Sequence, residues 1–176
     1  MEKKLTTPIT FDQIKNLSLG DEVLITGYIY TARDAAHKLL VEAIEKNEEL
    51  PFDLKDQVIY YVGPTPAKEG HVIGSCGPTS SYRMDKYSPY LMEKGLKVMI
   101  GKGDRTVEFN DVVAKYQGLY LMAIGGIGAK LAQCVVENEL IAYEHLQSEA
   151  IRRLKVVDFP AIVAIDYKGN SIFHKK

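Results

Sequence analysis

Cysteine is nearly absent from this chain of 176 residues: Cys76 and Cys134 are the two, and 58 positions separate them. They form no CxxC pair and no disulfide framework. A structural zinc site or an iron–sulfur cluster held by this chain alone needs more ligands than two Cys and four scattered His provide. Long apolar runs are missing too, and nothing approaches the roughly eighteen residues of a transmembrane span. No stretch of Lys or Arg exceeds two, and the net charge is −1. That balance gives no electrostatic reason to expect nucleic acid or an anionic membrane surface as partner. The opening MEKKLTTPITF has two lysines but no apolar segment behind them, so it does not read as a secretory signal. The expected compartment is the cytoplasm.

What is present is an ordinary globular composition, 46% apolar and 26% charged. The length suits one domain, residues 1–176, with enough chain to bury a substantial core. Strand and helix signals alternate, which favours one compact α/β domain with parallel strands and crossover helices. Strands are expected at Val23–Tyr30, Val58–Val62, His71–Ser75, Lys97–Ile100, Leu119–Ile124, Leu140–Tyr143, Leu154–Val157 and Ile162–Tyr167. Lys4–Ile9 reads as a short extended piece. Apolar spacing predicts a helix over about Asp34–Lys46, with an Asp34–Lys38 pair on its outer face. Shorter helices are expected after Thr10, from about Ser81, from Ser88-Pro89 with Ser as cap, after Thr106, and from the Gly125-Gly126-Ile127-Gly128 turn to about Val136. Cys134 falls in that last helical run as a small buried residue.

Four segments offer chemistry. In Thr31-Ala32-Arg33-Asp34 a strand gives way to a helix, where free N–H groups and Arg33 can meet a carboxylate; the alternative is a surface cap, and nearby His37 reads as a partly buried helix residue. In Gly77-Pro78-Thr79-Ser80-Ser81-Tyr82-Arg83 three hydroxyls and an arginine stand at another such junction, more hydroxyls than one N-cap uses. Asp85 there reads as support for Arg83 or a neighbouring cation. In Gly101-Lys102-Gly103 a lysine follows a short strand, where open parallel sheets bind ligands, although a solvated turn lysine fits equally. The glycines at 125, 126 and 128 fit nucleotide binding poorly, because Leu131 stands where the dinucleotide fingerprint needs glycine and no Walker Lys-Ser/Thr follows.

Taken in order, LTTPIT, TARDAAHK, GPTSSYRMD, MIGKGD, GGIGA and VVDFPAIVAID resemble, over nearly the whole chain, the beta subunit or C-terminal domain of class I iron–sulfur fumarate hydratases. Tartrate dehydratase beta subunits are the close relatives. The resemblance implies a single three-layer swivelling β/β/α domain and a hydro-lyase reaction, the reversible hydration of fumarate to malate. It implies that Arg33 and Arg83 bind substrate carboxylates, that Lys102 binds substrate, and that Thr79 handles the C3 proton. Ser80 departs slightly, since many relatives carry a second threonine there. It also implies that no cofactor is bound by this chain and that a four-iron four-sulfur cluster sits on a partner alpha subunit, in a hetero-oligomer such as one with two of each chain. Tartrate or another hydroxy diacid as substrate, and a stand-alone small-anion-binding domain, are the alternatives.

Overall fold

The computed structural model describes residues 2–124 and 128–174, and in it a mixed α/β chain builds one sheet. Strand β1 (Glu2–Thr6) leads to a one-turn helix α1 (Phe11–Ile14), and β2 (Glu22–Thr31) leads to α2 (Asp34–Glu45). After β3 (Val58–Tyr60) comes a long irregular stretch, then α3 (Ser88–Glu93), β4 (Val98–Gly101), α4 (Val107–Tyr116) and β5 (Leu119–Ala123). Helix α5 (Gly128–Ala132), β6 (Val135–Ala142) and β7 (Ile151–Ile165) follow. Two 3-10 turns, Ser81–Met84 and Glu144–Glu149, lie between these elements.

The strand order is β1-β2-β3-β4-β5-β7-β6, and β2 pairs with β7 as well. Strands β2, β3, β4, β5 and β7 therefore close into a five-strand, barrel-like ring. Neighbours from β2 to β5 run parallel, while β7 is antiparallel to both β2 and β5. Parallel strands covered on both faces need continuous apolar sequence, and Val58–Tyr60 and Val98–Gly101 are buried at every position. Successive side chains still divide between two cores, because strand side chains alternate across the sheet. Val58, Tyr60, Val98, Ile100, Leu119 and Leu121 join Val23, Ile25 and Val163 within the ring. Ile59, Met99 and Tyr120 point the other way, onto Ala36 and Leu40 of α2, Leu91 of α3, and Phe109 and Val113 of α4.

Several expected elements are corrected. His71–Ser75 is not a strand. The segment folds back on Thr65 instead, with Thr65 N–H donating to Ser75 O (2.9 Å) and Ser75 N–H to Thr65 Oγ1 (2.7 Å). The helix expected to reach Val136 stops at Ala132, because pairing of Val135 with Val156 draws the chain into β6. Cys134 thus sits in a turn, half-buried rather than inside a helix. Leu154–Val157 and Ile162–Ile165 belong to one fifteen-residue strand, which ends before Asp166 and Tyr167. Pro160 does not break it: its carbonyl accepts from Ile124 N–H (3.1 Å), and the irregularity falls at Asp158 (φ 50°), whose N–H goes to Thr26 Oγ1 (3.0 Å). Ser88 is the first residue of α3 and Tyr87 its cap, the Ser88 hydroxyl being engaged by Tyr61 Oη at 2.9 Å. Thr10 and Thr106 do stand at the N-caps of α1 and α4, without a side-chain capping bond. The glycine turn opening α5 is described only from Gly128, since residues 125–127 lie outside the described residues.

Candidate active site

The carboxyl ends of parallel strands β2, β3 and β4 meet at one edge of the sheet, and three of the four segments read from the sequence arrive there. Arg33 is the extended N-cap residue of α2, directly after β2, with Ala32 N–H bound to Tyr60 O (3.1 Å). Lys102 follows β4. The stretch carrying Thr79 lies between them as an added strand-like piece. Thr79 N–H donates to Tyr61 O (2.7 Å), Lys102 N–H to Thr79 O (3.2 Å) and Ser81 N–H to Lys102 O (3.0 Å). The main chain itself therefore bridges Ser80 to Lys102 and brings the Thr79 segment alongside the Lys102 loop. Gly101 permits this approach, because a Cβ there would run into Ser81 Oγ and the Tyr61 ring.

Arg83 enters through the 3-10 turn. Its Nη2 lies 3.1 Å from Asp34 Oδ1, and Arg33 Nε lies 4.0 Å from the same oxygen. Asp34 therefore pairs with Arg83 in place of Lys38, whose side chain is exposed. The Arg33 stem passes over Gly63, where a Cβ would stand 2.9 Å from Arg33 Cδ. The helix start is less open than expected, since Glu149 Oε1 already accepts Ala35 N–H at 3.2 Å. Arg33 and Arg83 are each about one-third exposed, Lys102 is exposed and Thr79 half-buried. Among the described residues Lys102 makes no ion pair and the Thr79 hydroxyl no hydrogen bond. The result is a solvent-facing cationic edge with a hydroxyl in its midst, chemically suited to carboxylates.

A cleft of about 340 Å³ between Tyr82 and Thr106 is lined in part by Ser80 and Lys102. A larger one of about 730 Å³, between residues 65–75 and α5, contains none of the four residues. Cavity size therefore does not single out these four residues.

Beneath this edge lies a buried polar frame that the sequence did not disclose. The Arg105 guanidinium is buried, with Nε 2.6 Å from Asp85 Oδ1 and Nη2 3.0 Å from Tyr61 Oη. It sits over the Phe109 ring at 3.8 Å. Burial works against its charge, but Tyr61 and Asp85 outweigh burial and hold its pKa above the ordinary value. Asp85 Oδ2 also accepts Thr106 N–H at 2.7 Å, and so begins α4. Asp85 thus supports a neighbouring cation, Arg105. Tyr120 adds a phenol pushed up by burial. Its only trace in the sequence is an aromatic residue on the helix-facing side of a strand.

His37 is fully buried, and burial lowers its pKa to about 4. Its Nδ1 lies 2.8 Å from Arg33 O, which can only accept, so Nδ1 carries the hydrogen of a neutral ring. It is a buried prop under Arg33. Cys76 is buried, and burial pushes its thiol up to about 11. Its sulfur lies 3.8 Å from Gly128 O, far from thiolate character. Among the described residues no three His, Cys, Asp or Glu side chains gather as a ligand set. These side chains do not fit an iron–sulfur cluster.

Comparison with known proteins adds a family. The family model described as Fumarase C-terminus matches residues 2–176. The chain is 40% identical over 165 residues to "Fumarate hydratase class I, anaerobic" of Escherichia coli (strain K12), covering 93% of this chain and 30% of that protein. "Fumarate hydratase 2" of Leishmania major is 36% identical over 165 residues, 93% of this chain and 29% of that protein. "Putative L(+)-tartrate dehydratase subunit beta" of Methanocaldococcus jannaschii is 39% identical over 173 residues, 95% of this chain and 89% of that protein. The chain therefore spans under a third of these fumarate hydratases and most of the tartrate dehydratase subunit.

Proposed function

We propose, on the premise that this chain belongs to the family described as Fumarase C-terminus, that it is the beta-type subunit of a hydro-lyase acting on a four-carbon hydroxy diacid, with fumarate and malate as the pair. The observation that carries this reading is the backbone bridge that sets the Thr79–Ser81 segment against Lys102, at the edge where Arg33 and Arg83 share Asp34. In our reading the guanidiniums of Arg33 and Arg83 take the substrate carboxylates and fix the diacid in one orientation. Thr79 works on the proton at the carbon beside a carboxylate. In dehydration that C–H bond breaks, its electron pair becomes the second bond of the alkene, and hydroxide departs from the adjacent carbon. Negative charge builds on the neighbouring carboxylate as the proton leaves, and Lys102 and the arginines stabilise it. A threonine hydroxyl is a weak base at neutral pH, so positive charge supplied by Lys102 and the arginines is what would make an alkoxide less costly there.

We propose an iron–sulfur chain as the partner, in a hetero-oligomer; its cluster would supply Lewis acidity for the hydroxyl, while Arg33, Arg83, Lys102 and Thr79 of this chain hold the diacid and handle the proton. A beta subunit of a separate-chain enzyme is favoured by the near full-length match to the tartrate dehydratase subunit. The same match supports L(+)-tartrate as a second substrate reading. We take the domain to be of the three-layer swivelling β/β/α type, a reading supported by the closed ring with α2, α3 and α4 packed outside it.

The test is co-expression with a cysteine-bearing partner chain and anaerobic assay on fumarate, malate and tartrate. Thr79→Ala is expected to lower turnover at least about a hundredfold with assembly and iron content unchanged. Near-normal turnover would remove Thr79 from proton transfer. Hydratase activity of this chain by itself would remove the two-chain reading.

A further inference from the structure

We infer that Tyr120 is a positioning residue that locks the Thr79 segment to the Lys102 loop; this rests on the hydro-lyase reading above. Tyr120 is fully buried on β5, on the helix-facing side of the sheet. Its Oη lies 2.7 Å from Gly103 O and 2.7 Å from Ser81 Oγ. A carbonyl can only accept, so the phenol hydrogen goes to Gly103 and the Ser81 hydroxyl donates to the phenol oxygen. One oxygen thus bonds both segments: Ser81 is two residues past Thr79, and Gly103 is the residue after Lys102.

A buried phenol needs one partner. Tyr120 has two, one on each segment of the site. Lys102 also needs such a restraint, since it stands between Gly101 and Gly103, and Gly103 adopts φ 74° with open space around it. Gly101 is held in β4 opposite Met122, but Gly103 leaves the main chain loose after the lysine. The two backbone bonds through Lys102, at 3.2 and 3.0 Å, hold it on one side only. The phenol closes the other side from below. Burial keeps that phenol protonated throughout the neutral range, so the donor is always present. Misplacement of a catalytic group by about 1 Å can cost on the order of a hundredfold in rate, so this bond acts on turnover while the arginines retain the substrate.

The experiment uses Tyr120→Phe, which removes one oxygen and keeps the ring, in the complex with the iron–sulfur partner. The expected result is a kcat, per cluster, lower by about tenfold or more with KM changed less than about threefold. Ser81→Ala in the Tyr120→Phe background adds less than about twofold, because both act through one bond. Val113→Ala, which loosens the same core without touching the bond, leaves kcat per cluster unchanged. In this chain alone, amide exchange at Ser81 and Lys102 rises about tenfold or more in Tyr120→Phe and not in Val113→Ala. A kcat within twofold of the parent, a Val113→Ala loss of equal size, or unchanged amide exchange overturns the inference. A parent complex inactive on fumarate, malate and tartrate overturns the hydro-lyase reading, and the catalytic role of Tyr120 with it.

Discussion

Asp34 Oδ1 stands 3.1 Å from Arg83 Nη2 and joins positions 49 residues apart, the start of α2 and the 3-10 turn after Thr79. Arg33 approaches the same oxygen. The three side chains are each about one-third exposed, so the pairing adds little stability, on the order of 0.5 kcal/mol. Its significance is chemical. A carboxylate of the protein already occupies the arginines that we assign to a substrate carboxylate, and an arriving diacid competes with it. Asp34→Asn is therefore expected to leave the melting temperature within about 2 °C. It should tighten succinate binding to the chain by roughly two- to fivefold at low salt. Calorimetric titration checks this, and the gain should shrink as ionic strength rises. Weaker binding in the variant would mean that Asp34 orients the guanidiniums and does not compete for them.

The Asp85–Arg105 pair belongs to the opposite regime. Its side chains are 9% and 0% exposed, and Asp85 also accepts the N–H of Thr106, the N-cap residue of α4. Removing one member of a buried pair leaves the other charge without compensation, at a cost of about 3–5 kcal/mol. Asp85→Ala should lose stability on that scale in urea unfolding, with the two-state slope unchanged. A loss below about 1 kcal/mol would show that water reaches Arg105.

His37 gives the fold a dependence on acid. Burial depresses its folded pKa to about 4, below the 6.5 of an unperturbed imidazole, with Arg105 pushing the same way and Asp34 opposing. The unfolded chain therefore binds the proton more readily. The stabilisation is complete above pH 6.5 and is lost as pH falls towards 4, at up to about 1.4 kcal/mol per pH unit. Urea unfolding at pH 7, 5.5 and 4.5 should show His37→Gln with a shallower decline than the parent. Between pH 7 and 4.5 the difference between the two should total about 2 kcal/mol. Parallel declines would mean that the ring is protonated inside the fold.

Local chemistry that repeats along the chain was legible in the sequence. The existence of α2, the apolar parallel strands at Val58 and Val98, and the strand-to-helix junction at Arg33 could be read before any coordinates, although the face that α2 buries is Ala36, Leu40 and Val41, of which the spacing singled out Leu40. What escaped depends on partners remote in sequence. Residues 71–75 look extended, but their bonds go to Thr65 and not to a neighbouring strand. Cys134 looks helical because Leu131 and Val135 have helical spacing, but strand pairing with Val156 decides the matter. Asp34 has a suitable lysine four residues on, yet Arg83, 49 residues away, takes it. The phenols of Tyr61 and Tyr120 carry no positional signal at all. Their roles exist only because β3, β4 and β5 lie side by side.

Closure of the ring between β2 and β7 governs when this molecule can come into being. Glu22 pairs with Ile162, partners 140 positions apart (162 − 22). On the ribosome, β2 emerges well before β7 and must wait with one flank unpaired until β7 has been made. Such an edge invites pairing with other nascent chains. Distant pairing of this kind also slows folding more than it weakens the product. Arg33 follows that waiting strand, so the anion site reaches its final form only after β7 has arrived. The rate at which β7 arrives then sets how much of the newly made chain becomes competent to bind a partner.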